Sequence, residues 1–83
     1  MEPRIPTKIR ILAFLEKKGP ARGTQIAREL EASVTAVYTA LRELRAAGLI
    51  EYNASTKTYA ITDAGRAELA RLRAELAAAP STA

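Results

Sequence analysis

At 83 residues the chain has the length of one domain, and a domain so short buries only about 60% of its unfolded surface, so association would add stability. Apolar residues at 48% and charged residues at 27% are globular proportions and argue against a disordered tail or a fibre. The chain has no Cys and no His, which removes disulfides, thiolate nucleophiles, the usual zinc ligand sets and imidazole acid–base chemistry. The remaining carboxylates are scattered among basic neighbours, so neither an enzyme nor a metal or cofactor site is expected.

The opening segment MEPRIPTKIR is basic, but Glu16, Lys17 and Lys18 break the apolar stretch behind it. It does not read as a signal peptide, and no apolar run approaches the roughly 18 residues of a membrane span. A cytoplasmic protein is expected. Net charge is +4, which suits a polyanionic partner. The excess is early in the chain: Arg4, Lys8, Arg10, Lys17, Lys18, Arg22 and Arg28 face only Glu16.

Taken in order, Pro6 and Thr7 open a first helix, with Thr7 or its neighbour as cap. Its apolar residues Ile5, Ile9, Ile11, Leu12, Ala13 and Leu15 cover a broad arc, and Phe14 points away from it. Gly19–Pro20 stops this helix, and Pro20–Gly23 is a short link extended enough to act as a strand. Thr24 is expected to cap a second helix that turns Ile26, Ala27 and Leu30 inward. After a break at Leu30–Ser33, Ser33 caps a third helix, whose Val37, Ala40, Leu41 and Leu44 fall within about 100° on a 3.6-residue wheel. Gly48 ends it in a left-handed conformation.

From Leu49 the hydrophobic period changes. Leu49, Ile50 and Tyr52, then Tyr59 and Ile61, flank the turn-rich Asn53–Lys57 and read as a β-hairpin. Thr62 caps a last helix, about 63–79, with Asp63 near its positive end and Leu69, Leu72, Leu76 and Ala79 at 3-4-3 spacing. The predicted fold is mainly α with a small hairpin: a winged helix-turn-helix with a three-helix core, a two-stranded wing and a C-terminal helix, one domain over 1–83.

A helix fits the major groove of DNA because that groove is about 12 Å wide. With Val37 at the centre of the buried side, Thr35, Tyr38, Thr39, Arg42 and Ala46 turn outward and Arg45 lies on the flank. Thr hydroxyls reach base edges or phosphates, the Tyr38 hydroxyl a phosphate, and Arg42 a guanine or the backbone. Free amides near Thr24 and Gln25 suit a phosphate, and Lys57 is the charge at the wing tip. A plainer reading makes Thr35, Tyr38 and Thr39 the solvated side of an amphipathic helix and pairs Arg42 and Arg45 with Glu43 or Glu31. Between Ser33 and Thr58 three basic residues stand against Glu43 and Glu51, so much of the phosphate neutralisation falls to Arg22, Arg28 and the N-terminal residues.

The segment SVTAVYTALRELRAAGLIE resembles the recognition-helix region of PadR-type transcriptional regulators. KTYAITDAGRAEL resembles their second wing strand and the helix that follows. MarR-type and other winged-helix regulators share much of this pattern, and the resemblance runs from about Ile9 to Leu76. It implies dimeric, sequence-specific binding of double-stranded DNA, usually repression, through Ser33, Thr35, Tyr38, Thr39, Arg42 and Lys57. The segment GPARGTQIA lacks the aromatic that these proteins often place after the glycine, the wing is short, and no effector domain is expected after the last helix.

The expected dimer seam is Leu69, Leu72 and Leu76 with Phe14; the alternative packs these leucines on the first helix of the same chain. Two other functions remain open at this point: a winged helix that docks on another protein, and an accessory DNA-binding protein in plasmid or viral replication or partition.

Overall fold

The computed structural model describes residues 6–78, and the side chain of Ala78 is outside that description. The expectations for Arg4, Ile5 and Ala79 lie outside the described residues. The elements follow the order α1 (Thr7–Lys18), α2 (Gly23–Leu30), α3 (Val34–Ala46), β1 (Ile50–Asn53), β2 (Thr58–Ile61) and α4 (Asp63–Ala78). This is the winged helix-turn-helix: four helices and one two-stranded antiparallel hairpin.

Helix α1 starts after Pro6, which holds the cap position without a side-chain bond, and ends at Gly19 with φ 88°, whose amide donates to the Leu15 carbonyl. Ala21 then forms a bridge with Tyr59, its amide donating at 3.1 Å and its carbonyl accepting at 2.8 Å, so the Pro20–Gly23 link adds one residue to the wing.

The second helix begins earlier than its sequence implies. Thr24 lies inside the first turn, and Arg22 holds the cap position with an extended backbone and no side-chain bond. The chain arrives from the Ala21 bridge already extended, and the Arg22 carbonyl accepts from the Ile26 amide at 2.9 Å. Helix α2 ends at Glu31 in the left-handed region (φ 52°, ψ 43°), which swings the chain into α3.

Ser33 caps α3 as its hydroxyl chemistry requires, accepting from the Ala36 amide at 3.1 Å. Gly48, at φ 77°, terminates the helix, and the Leu49 amide returns to the Leu44 carbonyl. In the hairpin Ile50 pairs with Ile61 and Tyr52 with Tyr59. Asn53 Oδ1 holds the turn by accepting from the amides of Ser55 and Thr56, and Lys57 follows at φ 58°. Thr62 ties two elements together. Its Oγ1 accepts from the Gly65 amide and donates to the Gly48 carbonyl, so the α4 cap is joined to the end of α3.

The core is one cluster. Ile11, Leu12 and Leu15 of α1 meet Ile26 of α2, Val37, Leu41 and Leu44 of α3, Ile50 and Ile61 of the wing, and Leu69 of α4. Leu69 has 0% exposure, which corrects its assignment to a seam between chains: α4 crosses α1 closely enough to bury it within its own chain. Full burial of such a side chain contributes about 1.5–3 kcal/mol. Leu72 is half-buried and Leu76 is 52% exposed, so α4 leaves the core towards its C-terminal end. Phe14 is half-buried and packs against the core.

Candidate nucleic-acid interface

The side of α3 opposite its buried stripe carries Thr35, Tyr38, Thr39 and Arg42, all exposed. The other residues singled out from the sequence are exposed as well: Arg22, Thr24, Gln25 and Arg28 on α2, Ser33 at the α3 cap, and Lys57 in the wing turn. They are not one continuous patch. Arg22, Thr24 and Gln25 stand at the start of α2, whereas Arg28 is in its last turn. The Ser33 oxygen is already occupied by the cap bond, which leaves its hydroxyl proton for an outside acceptor.

Tyr38 links the two helices of the motif. A Cβ placed on Gly23 would lie 2.5 Å from Tyr38 Cζ and 2.6 Å from its hydroxyl oxygen, so the ring lies against the bare backbone at the start of α2. Glycine there has no helical cost to speak of, being at the helix edge, and its missing side chain is what lets the ring in. Tyr38 remains 37% exposed, its ring seated by this contact.

Next to it stand three groups not expected at the interface from the sequence, Tyr52 and Tyr59 from the wing and Arg45 from α3. Tyr52 and Tyr59 stack across the hairpin, their centroids 4.9 Å apart and their planes at 48°. The Arg45 guanidinium lies over the Tyr52 ring, 5.2 Å from its centroid. Tyr38, Arg42, Arg45 and Tyr59 line a cleft of about 180 Å³ between α3 and the wing. Burial, then the neighbouring phenols of Tyr38 and Tyr52, raise the Tyr59 pKa above its ordinary value. The available signal was register. Pairing Ile50 with Ile61 on the core face puts Tyr52 and Tyr59 on that same face, one pair further out, towards α3.

Arg42 and Arg45 make no ion pair among the described residues. Glu43, a partner considered for them, is bound instead to Lys8 of α1. Arg10 donates to the Leu30 carbonyl, and Arg73 pairs with Glu16. Lys8 and Arg10 thus have partners within the chain, while Arg42 and Arg45, beside the outer side of α3, have no ion-pair partner among the described residues. Among the described residues no group of Asp or Glu is arranged to hold a metal ion, and no helix is long and apolar enough to cross a membrane.

A three-helix core with a wing, and an exposed third helix flanked by unpaired arginines, defines the winged-helix class of regulators. The chain belongs to the transcriptional regulator PadR-like family, which it matches over residues 11–71. Among solved structures it is similar to the YusO protein from Bacillus subtilis, with a TM-score of 0.74 and 26% identity over 83% of this chain and 52% of that one. It is also similar to the MarR family transcription regulator SP03579, with a TM-score of 0.75 and 27% identity over 87% of this chain and 51% of that one. Transcriptional regulator Tm0710 from Thermotoga maritima, at 21% identity and a TM-score of 0.68, shares the fold, over 81% of this chain and 50% of its own. The chain therefore spans about half the length of the solved structures it matches. No curated protein matches it in sequence. Its family, like SP03579 and Tm0710, is described as one of transcriptional regulators, not of enzymes.

Proposed function

We propose that the chain binds double-stranded DNA in a sequence-specific manner as a small transcriptional repressor, acting as a homodimer with α3 in the major groove. The observation that carries this reading is the outer side of α3, where Thr35, Tyr38, Thr39 and Arg42 stand exposed beside the wing with no carboxylate committed to Arg42. Thr and Arg offer hydrogen bonds to base edges, while Tyr38, Lys57 and the amides around Thr24 and Gln25 offer them to phosphates. Two copies would set their α3 helices about 34 Å apart, one turn of DNA. The exposed Leu76, the half-buried Leu72 and Phe14 are the surface for the second copy.

The test is substitution on the exposed side. Arg42→Ala and Tyr38→Ala are expected to weaken specific binding by roughly tenfold or more, the range of one good contact, while leaving the domain folded. Binding by both variants at wild-type affinity would remove this side of α3 from the interface.

A further inference from the structure

We propose that the cleft between α3 and the wing is a preformed seat for one phosphodiester of the DNA backbone, gripped by Arg45 and Tyr59, with Tyr52 as the residue that positions Arg45. The proposal rests on the DNA-binding reading above and adds to it a backbone contact beside the base-reading residues.

Four features carry it. The first is the make-up of the walls. The lining residues are two arginines, Arg42 and Arg45, and two tyrosines, Tyr38 and Tyr59, with no carboxylate among them. A site lined by guanidinium groups and phenols, all able to donate and none negatively charged, favours a compact anion with several acceptor oxygens. The second is size: about 180 Å³ holds a group several times larger than the ~30 Å³ share of one water.

The third is how Arg45 is held. Its guanidinium rests over the Tyr52 ring, and Tyr52 is itself braced by Tyr59 across the hairpin. A cation–π contact engages the charge of the group without consuming its N–H donors, so they remain available. A carboxylate partner would have consumed those donors. The nearby Glu43 is taken by Lys8, and Glu51, one residue before Tyr52 on the strand, belongs to the opposite side of the hairpin.

The fourth is position. On a 3.6-residue wheel Arg45 and Tyr38 lie between the outermost line of α3 and the wing, with Arg42 next to them. A helix in the major groove has a phosphate strand running along each flank, and the wing-side strand passes over this cleft. The contact would contribute affinity without reading sequence.

The experiment measures binding of the full chain to a short labelled duplex of arbitrary sequence across a salt series. Arg45→Gln keeps the stem over Tyr52 and removes the charge. It is expected to lower affinity roughly tenfold on every duplex tried, and to flatten the slope of log affinity against log salt by ~0.9, the share of one phosphate. Arg45→Lys is expected to restore that slope. Tyr59→Phe should weaken binding several-fold with the slope unchanged, because it removes a donor and no charge. Circular-dichroism melting of each free variant checks that the wing is still folded. Wild-type slope and affinity in Arg45→Gln, together with loss of binding in Arg42→Ala, would overturn the phosphate seat and leave the DNA-binding reading standing. Failure of the wild-type chain to bind any duplex, including sequences selected from a random pool, would overturn both.

Discussion

Gly23 and Gly65 both leave out a side chain where a neighbour comes close, and the identity of that neighbour sets different consequences for filling the space. A Cβ on Gly65 would lie 2.1 Å from the Leu49 carbonyl oxygen and 2.7 Å from Ile61 Cγ1. The first of these is backbone and cannot rotate away. Gly65→Ala is therefore expected to push α4 off the wing and cost about 2–3 kcal/mol, the scale of an overpacked core. At Gly23 the obstacle is the tip of the Tyr38 ring, which is partly exposed and free to swing outward. Gly23→Ala should cost under ~1 kcal/mol in stability, yet weaken DNA binding as strongly as Tyr38→Ala. Thermal melts and binding curves on the two variants separate these outcomes. A Gly23→Ala protein with full DNA affinity would show that the seating of Tyr38 is irrelevant to binding.

At the scale of elements, the sequence announced most of what was built. Ser33, Gly48 and Thr62 each do locally what their chemistry favours, and the hairpin follows from the change of period at Leu49. The start of α2 was not legible, because it depends on the Ala21–Tyr59 bridge, a contact between residues far apart in the chain. The leucines of α4 were ambiguous for a related reason. Leu69, Leu72 and Leu76 have the same spacing whether they face their own core or a second copy, and spacing carries no information about what lies opposite. The fold divides them: Leu69 is sealed inside, whereas Leu76 is exposed. Leu76→Glu is accordingly expected to leave the unfolding free energy of a single chain within about 0.5 kcal/mol, as for an ordinary surface change, and to shift sedimentation from dimer to monomer. A Leu76→Glu protein that still sediments as a dimer would place the seam elsewhere.

For the whole molecule, the distribution of charge decides how binding must work. The chain carries +4, but Lys8 faces Glu43 and the Arg10 side chain is held on the Leu30 carbonyl, so two N-terminal cations are oriented towards their own chain. That engagement is tertiary and no sequence pattern shows it. The cations assigned to the interface are Arg22, Arg28, Arg42, Arg45 and Lys57, few phosphate contacts for one chain. Binding of 6–10 phosphates, the number that gives regulators their usual steep salt dependence, would then require two copies. The central claim is thus a symmetric reader of duplex DNA, in which each α3 supplies specificity and the pair supplies affinity. Selection of bound sequences from a random DNA pool tests it most directly. The account predicts an enriched site with two-fold symmetry and half-sites about one helical turn, ~34 Å, apart. A pool that emerges without any enriched sequence, or with a single half-site and no symmetry, would contradict it.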